Sequence, residues 1–305
     1  MAKKRKQEKS PMKKYTLKQL RKDFPTEEAC LVFLKERRWP DGIHCQKCDE
    51  VTPHYLITGR KCYGCQNCGS QVYPTAGTIF HKSSTPLPIW FEVAFRMSQT
   101  RMGISAKQIE RETGVTYKTA WRMCKLIRQQ LDEDKSPFDS TDTVEVDESY
   151  FGGVKKGGKR GRGSENKTAV IGLVERGGKV VTEVIPNVKK ATLQPIVEEN
   201  VEKGATVYTD ELRSYNGLTA AGYNHAKVLH SHDIYVIGNI HTNTIEGFWG
   251  NVKPGITGVY RHVSPKYLQS YLNEYAFRYN HRNDVTPMFV SFLSQMAGES
   301  AHLVS

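Results

Sequence analysis

The sequence has no long apolar segment. None of its apolar runs approaches the roughly 18 consecutive residues that a membrane-spanning helix needs, and the basic N-terminal tail lacks the apolar core of a secretory signal. We therefore expect a cytoplasmic protein with no membrane partner. Cysteine is also scarce. Four of the seven cysteines lie in tight pairs, which favours metal binding in a reducing compartment over a disulfide framework.

Acidic side chains are nearly absent from the N-terminal segment. Residues 1–22 hold ten Lys and Arg and one acidic residue, so this segment carries nine of the chain's twelve net positive charges. It begins with a tail that has no apolar periodicity, which indicates a disordered arm. Such an arm either contacts phosphates or only raises solubility. The overall charge of +12 indicates a polyanionic partner, although most of that charge belongs to the arm.

The apolar and polar pattern divides the chain into successive segments. A segment rich in Cys, Gly and Lys follows the tail, two helical stretches come next, and a polar linker leads to alternating strands and helices. We predict an α/β multidomain fold with a tail at 1–16, a helix and metal-binding ribbon at 17–82, a helical segment at 83–133, a linker at 134–142, a mixed domain at 143–295 and a tail at 296–305.

Four of the cysteines form two Cys-x2-Cys pairs separated by 16 residues. Each pair fits a short turn that points two sulfurs at one place, so four thiolates can surround one Zn²⁺ tetrahedrally. The overlapping pair Cys62 and Cys65 competes, but Gly69 suits a tight turn after the last cysteine and favours the later pair. Four thiolates leave no open position for water, so the sequence predicts a structural zinc site at Cys45, Cys48, Cys65 and Cys68.

A second motif follows in the segment ISAKQIERETGVTYKTAWRMCKL. Ser105 and Thr116 are predicted to cap two successive helices, and Gly114 suits the turn between them. This is the layout of a helix-turn-helix, whose second helix presents its outer face to a DNA major groove. An ordinary α-hairpin is the alternative. The candidate DNA-contacting residues on the outer face are Tyr117, Lys118, Arg122 and Lys125.

A third motif consists of carboxylates on two predicted strands and a helix. Asp147 lies within the strand VEVDESYFG, Asp210 ends the strand ATVYTD, and Glu246 lies in the helix NTIEGFWGNVK, with 35 residues between Asp210 and Glu246. An acidic residue in an apolar strand is costly unless it is paired or binds a metal. Three such carboxylates can hold two Mg²⁺ or Mn²⁺ ions, which activate an attacking oxygen and stabilise the leaving oxygen of a phosphodiester.

The two aspartates also have simpler interpretations. Asp147 can be a solvated edge residue, and Glu145 and Glu148 are rivals for its role. Asp210 can cap the turn that follows its strand. Taken together, the order of the carboxylates and their placement on two strands and a helix favour the metal site.

Glu246 likewise has a simpler interpretation, since it fits position N3 of a capping box that Asn243 would begin. A helical projection places Glu246 at the rim of a buried stripe, nearly eclipsed with Lys253 seven positions later. A rim position beside a buried face suits a residue in a cleft. Lys253 is then close enough to contact a DNA phosphate.

These stretches together resemble a known family. The residues CQKC…CQNCGSQVYPTAGTIFH, VEVDESYFGG, VYTDELRSY and HTNTIEGFWGNVKPGITGVYRHVSPKYLQSYLNEYAFRYNHR are similar to those of prokaryotic insertion-sequence transposases of the group numbered fifteen-ninety-five, whose catalytic domain is called ISXO-two-like. The likeness covers nearly the whole chain after the basic tail. It implies an RNase H-like mixed β-sheet with flanking helices, metal-dependent cleavage at terminal inverted repeats, and strand transfer into target DNA.

By position, the resemblance implies that Asp147, Asp210 and Glu246 are catalytic and that Lys253 is their basic companion. Asparagine sometimes takes the third position in this group, so Asn243 stays a second candidate. Because two ends must be joined, the reaction implies a homodimer or a larger assembly on double-stranded DNA. A prokaryotic enzyme of this kind is expected in the cytoplasm, at the nucleoid.

Two other functions fit parts of the pattern: a non-catalytic DNA-binding regulator derived from a transposase, and a stand-alone RNase H-type nuclease. The presence of all three carboxylates and Lys253 argues against the first, and the DNA-binding front half argues against the second. Two basic segments keep open interpretations. The loop at 155–167 is a candidate for DNA backbone contact, and residues 278–282 either contact DNA or only cap a helix.

Overall fold

The computed structural model describes residues 14–133, 136–152, 167–228 and 241–298. The chain separates into two units. The first contains residues up to 131, apart from 101–103, and the segment after 282; the second contains residues 101–103 and 132–282. Most of the basic N-terminal arm and most of the basic loop at 155–167 lie outside the described residues.

Helices and strands follow the order that the sequence predicts. Those of the first part of the chain are α1 (Leu17–Asp23), α2 (Glu27–Arg38), β1 (His44–Cys45), β2 (Glu50–Val51), β3 (His54–Leu56), β4 (Tyr63–Cys65), β5 (Gln71–Val72), α3 (Leu87–Gln99), α4 (Ala106–Thr113) and α5 (Tyr117–Gln130). Those of the remainder are β6 (Thr143–Phe151), β7 (Thr168–Glu175), β8 (Val180–Ile185), α6 (Lys190–Asn200), β9 (Thr206–Thr209), β10 (Asn224–Lys227), α7 (Asn243–Pro254), α8 (Pro265–Asn280) and α9 (Met288–Met296).

The first unit combines two small antiparallel sheets with helices. β1 pairs with β2, and β3, β4 and β5 form a three-stranded sheet. Helix α2 is capped by Thr26, the residue before it, whose hydroxyl accepts a hydrogen bond from Ala29 N at 3.3 Å. Two glutamates in its first turn and three basic residues in its last turn complement the helix dipole. Local capping and charge therefore stabilise both ends of this helix.

The core of the first unit brings α9 together with helices from the N-terminal part of the chain. Helix α9 packs against α3, where Phe289 lies 5.6 Å from the ring of Phe95. Phe24 adds a T-shaped contact with Phe91 at 4.9 Å. The sequence-based boundary placed residues 283–295 in the catalytic domain, whereas in the structure α9 belongs to the first unit. An apolar helix face shows that a partner is needed but does not identify the partner.

The second unit is built on a five-stranded mixed sheet in the order β10-β9-β6-β7-β8. β6, β7 and β8 are antiparallel, and β9 and β10 run parallel to β6. A hairpin turn with the sequence RGGK joins β7 to β8, with Glu175 N donating to Lys179 O at 2.9 Å. This is the RNase H-like mixed sheet with flanking helices that the resemblance implied.

Each face of this sheet carries its own helical layer. Alternate β6 residues such as Val144 and Val146 face the cluster that contains Leu193 and Val197 of α6. The opposite face packs against α7 and α8 through a cluster that contains Val170, Ile245, Phe248, Trp249, Leu268 and Leu272. Because side chains alternate along a strand, Glu145 and Asp147 lie on the same face as α7.

The start of α7 differs from the expected capping box. The residue that precedes the helix is Thr242, so Asn243 is its first residue and Glu246 lies at the fourth position instead of the third. The hydroxyl of Thr242 makes no capping bond to the helix backbone. The local sequence pattern is therefore wrong about the cap, because the first turn takes its hydrogen-bond acceptor from the sheet.

Candidate metal sites and nucleic-acid interface

The predicted zinc ligands lie together beside the small sheets. The sulfur atoms of four cysteines all lie within 4.8 Å of one another, namely those of Cys45, Cys48, Cys65 and Cys68. Cys45 ends β1 and Cys65 ends β4. The turn after Cys65 is closed by a 2.9 Å hydrogen bond from Gly69 N to Cys65 O, with Gly69 at a φ of +73°. This is the conformation for which glycine is suited.

Hydrogen bonds to the sulfurs shift the pKa values of two of these thiols. The hydroxyl of Ser70, aided by backbone N–H groups, lowers the pKa of the Cys45 thiol to about 5. The neighbouring thiol of Cys68 raises the pKa of Cys48. A site of four sulfurs in which one thiolate is already favoured fits Zn²⁺, which binds deprotonated thiols. Cys62, the competing ligand, is not a member of the four-sulfur group that the described residues form.

Asp147 on β6 and Asp210 after β9 lie at the same level of the sheet. β6 and β9 run parallel, and the last residues that they pair are Val146 and Thr209, so each aspartate directly follows this last pair. Carboxylate oxygens of Asp147, Asp210 and Glu148 lie within 4.8 Å of one another; these three residues are called the carboxylate cluster below. The structure thus brings together two of the three predicted catalytic carboxylates.

The surroundings of Asp147 favour a bound cation. Burial, followed by the charge of Asp210, raises the pKa of Asp147 to about 6; Glu246 adds to the rise, and the Glu148 backbone N–H and Lys253 oppose it. Crowded carboxylates repel one another when no cation lies between them. Ligands that are all oxygen suit Mg²⁺ or Mn²⁺. The residues present therefore fit a centre for hard divalent ions.

Glu246 lies close enough to influence Asp147 but outside the carboxylate cluster that the described residues form. It is exposed on α7, and its carboxylate accepts a hydrogen bond from the Thr242 hydroxyl at 2.8 Å. Asn243, the second candidate for the third position, is exposed at the first residue of α7. Lys253 is exposed in the last turn of the same helix, and its charge also acts on Asp147.

The two rivals of Asp147 have different surroundings. Glu148 belongs to the carboxylate cluster and accepts a hydrogen bond from the hydroxyl of Tyr215. Glu145 is fully buried and accepts hydrogen bonds from Arg176 and from the first backbone N–H groups of α7. These partners lie 31 to 100 residues from Glu145 in sequence. No local pattern indicates them, and the only signal is that Glu145 shares a strand face with Asp147.

The predicted helix pair has the expected caps. The hydroxyl of Ser105 accepts a hydrogen bond from Gln108 N at 3.2 Å, and that of Thr116 accepts one from Thr119 N at 3.3 Å. Gly114 ends α4 with a φ of +74°. The outer face of α5 carries three exposed residues and one half-buried lysine, namely Tyr117, Lys118, Arg122 and Lys125. The four candidate DNA contacts therefore lie on a surface that a groove could reach.

The basic segment at the end of α8 contacts its own unit. Asn280 accepts a hydrogen bond from Val180 N at 2.8 Å, and Arg282 donates to Gly178 O at 2.9 Å, so both hold the β7–β8 hairpin. Two further residues of this segment pair with carboxylates: Arg278 with Glu274 and His281 with Glu133. Through these contacts the segment attaches the end of α8 to the rest of the second unit.

Two segments of the chain, one that contains the cysteine ligands and one that contains the carboxylate cluster, match known protein families. Residues 25–71 match the family described as a transposase zinc-ribbon domain, and residues 140–280 match the family described as an ISXO2-like transposase domain. A protein of Halobacterium salinarum named as an uncharacterized protein in transposable element ISH50 is 28% identical over 277 residues, covering 84% of this chain and 92% of that protein. An uncharacterized transposase-like protein of Haemophilus influenzae is 33% identical over 118 residues, covering 39% of this chain and 93% of the relative.

Solved structures give a weaker comparison. A crystal structure of a pre-cleavage Mos1 transpososome is similar over 68% of this chain and 78% of that chain, at 12% identity and a TM-score of 0.26, which supports no structural argument. Within the described ranges, every helix is too short or too polar to cross a membrane.

Proposed function

The chain belongs to the family of insertion-sequence transposases with a zinc ribbon and an ISXO2-like transposase domain, and we propose that it cuts and joins DNA at the ends of its element. The observation that carries this proposal is the carboxylate cluster, which lies in the middle of β6 and just after the end of β9, with the charge of Glu246 on α7 adding to the raised pKa of Asp147. Partly buried carboxylates brought together from separate elements suit metal-dependent phosphodiester chemistry.

Asp147, Asp210 and Glu246 would hold two Mg²⁺ or Mn²⁺ ions. When bound, the ions would activate the attacking oxygen and stabilise the leaving oxygen of an in-line displacement. In the first reaction, water attacks the phosphodiester at the element end and frees a 3′-hydroxyl. In the second, that hydroxyl attacks a target phosphodiester, so one bond forms as another breaks and no protein–DNA covalent intermediate is needed. Lys253 would contact a phosphate beside the site.

Glu246 is our proposed third catalytic residue, with Asn243 as the alternative. An ionised carboxylate supplies charge as well as oxygen ligands, whereas an amide supplies only a neutral oxygen. The influence of Glu246 on Asp147 supports this choice.

DNA recognition would belong to the first unit. We propose that α5 places Tyr117, Lys118, Arg122 and Lys125 against the terminal repeats and that the zinc ribbon assists as a recognition module. Zn²⁺ would be held by the four-sulfur group and would stabilise the ribbon without taking part in chemistry. Two element ends must be joined, so the working form would be a homodimer or larger assembly on double-stranded DNA, in the cytoplasm at the nucleoid.

The test uses purified full-length protein, Mg²⁺ and a labelled duplex that carries the terminal repeat of its element. We expect cleavage at the repeat end and transfer of the labelled strand to target DNA. Asp147→Ala and Asp210→Ala should each lower both reactions by at least about 100-fold, as when a group that stabilises transition-state charge is removed. Glu198→Gln, an exposed change on α6, is the matched control and should retain activity.

Comparison of two further variants assigns the third position. Glu246→Gln should abolish activity, while Asn243→Ala should retain part of it. The reverse order would assign the role to Asn243. Repeat binding without cleavage by the parent protein would indicate a DNA-binding regulator, and cleavage of any duplex without strand transfer would indicate a nuclease.

A further inference from the structure

The first turn of α7 is held by a side chain from the sheet instead of by a cap of its own. The hydroxyl of Thr242, the residue before the helix, makes no capping bond. Instead, Oε2 of Glu145 accepts hydrogen bonds from Thr244 N at 2.7 Å and from Ile245 N at 3.1 Å. These are two of the N–H groups that a helix leaves without internal partners. A carboxylate at this end also complements the helix dipole.

The same carboxylate is fixed from its other side. Oε1 of Glu145 accepts from Arg176 Nε at 2.6 Å and from the Thr244 hydroxyl at 2.8 Å. Arg176 in turn donates to His241 O at 2.7 Å, just before α7 begins. Glu145 has no exposed surface. Its four acceptor positions are occupied by donors, so it has no oxygen to spare for a metal ion.

This arrangement connects the two elements that carry the proposed metal ligands. Glu145 lies two residues before Asp147 on β6 and on the same face of the sheet. Its partners Thr244 and Ile245 immediately precede Glu246. A single buried side chain therefore sets where the helix begins relative to the strand.

We propose that Glu145 is a positioning residue that holds α7 so that Glu246 faces Asp147 across the metal centre. This inference rests on the proposed function, since it assumes that Glu246 completes the metal site. Glu145 itself touches no metal, DNA or reacting atom. Loss of its carboxylate removes the acceptor of Arg176 Nε and of two helix N–H groups, so the first turn of α7 loosens and Glu246 is no longer held in place.

The test compares Glu145→Ala, Glu145→Gln and the control Glu183→Gln in the full-length, zinc-loaded protein. Glu183 lies on β8 in the same sheet, so its substitution removes an equivalent charge elsewhere in the unit. Mn²⁺ affinity is measured by titration with detection of the free ion by electron paramagnetic resonance. Asp147→Ala identifies the part of binding that belongs to the carboxylate centre. Amide hydrogen exchange at residues 244–246 reports the first turn of α7 independently of activity.

Glu145→Ala should weaken Asp147-dependent Mn²⁺ binding by about 10- to 100-fold, the range for residues that orient metal ligands. Exchange at residues 244–246 should accelerate more than exchange within β7. Glu145→Gln keeps one oxygen that can accept from the helix N–H groups, so its Mn²⁺ affinity should lie between those of the parent and Glu145→Ala. Glu183→Gln should match the parent in both measurements.

Three results would overturn the proposal. The first is unchanged Mn²⁺ affinity in Glu145→Ala, and the second is equal acceleration of exchange throughout the second unit, which would mean a general loss of stability. The third is the absence of any Asp147-dependent Mn²⁺ site in the parent. Failure of the proposed function is distinguishable, because a parent that binds Mn²⁺ at Asp147 but does not join DNA ends would contradict transposition and leave the role of Glu145 measurable.

Discussion

A glycine opposite Asp147 sets how closely α7 approaches the sheet. Gly172 pairs with Asp147 across β6 and β7. A Cβ at Gly172 would lie 2.5 Å from Cζ2 of Trp249 and 2.9 Å from Cδ1 of Ile245. Real side chains do not approach this closely, so a methyl group here would push α7 away. The absent side chain thus helps to place the helix that carries Glu246.

Gly172→Ala is therefore expected to impair both stability and activity. Overpacking of this kind typically costs about 1–3 kcal/mol, measured as the free energy of unfolding in urea, and strand transfer should fall with it. Gly250→Ala is the matched control because it lies on the exposed side of α7 with no atom within 4 Å of its added Cβ. It should stabilise the helix by up to about 1 kcal/mol. Equal stability of the two variants would contradict the close approach of α7.

The same residues indicate how much of the site is predictable. Asp147 and Asp210 are identifiable from sequence because each lies in or at the end of an apolar strand, and parallel strand ends converge. Glu145, Arg176 and Gly172 are not identifiable, because their roles depend on contacts with α7 and the residue that leads into it, which lie 65 to 100 residues away. The start of α7 at Asn243, with Thr242 before it, is missed for the same reason.

At the scale of elements, α4 and α5 show what local chemistry determines. Ser105 and Thr116 cap the starts of these helices and Gly114 ends α4, all through contacts within four residues. By contrast, the π-helical turn Gly255–Val259 after α7 has no local signal. It packs against distant groups: a Cβ on Gly255 would collide with the hydroxyl of Tyr275. Elements closed by local capping are therefore predictable, and those shaped by long-range packing are not.

Lys118→Ala on α5 should weaken binding to the terminal repeat and reduce the slope of log affinity against log salt by about 1, as for the loss of one phosphate contact. The measurement is fluorescence anisotropy over a salt series. Lys203→Ala removes the same charge from an exposed position after α6 and is the control. Identical salt slopes for the two variants would contradict a DNA contact by α5.

Cys48→Ser should remove the zinc ion from the ribbon, because three thiolates and a hydroxyl bind Zn²⁺ much more weakly than four thiolates. Elemental analysis of the purified protein should give one zinc per parent chain and close to none for this variant. Cys62→Ser should retain its zinc, because Cys62 lies outside the group of four sulfurs. Cys68 is a ligand only in the predicted set. Retention of zinc by Cys68→Ser together with its loss by Cys62→Ser would therefore reassign the second pair to Cys62 and Cys65.

At the scale of the whole molecule, the first unit is discontinuous in sequence. The chain leaves it after residue 131, forms the second unit, and returns with α9 after residue 282. The apolar face of α9 predicts burial but not its partner, since any apolar surface would satisfy it. This is why the sequence divides the chain at 143 and 295, while contacts assign the last helix to the N-terminal unit.

Substitution of Phe289 tests whether α9 is part of the core of the first unit. Phe289 is fully buried, and its ring lies 4.9 Å from that of Tyr15 and 5.6 Å from that of Phe95. Phe289→Ala should therefore destabilise the first unit by about 3–5 kcal/mol, and hydrogen exchange in peptides covering α3 should accelerate. Val285→Ala, which lies in the same segment but is 59% exposed, should leave α3 unchanged. If α3 exchanged at the parental rate in Phe289→Ala, α9 would not be part of that core, because a cavity beside α3 must weaken it.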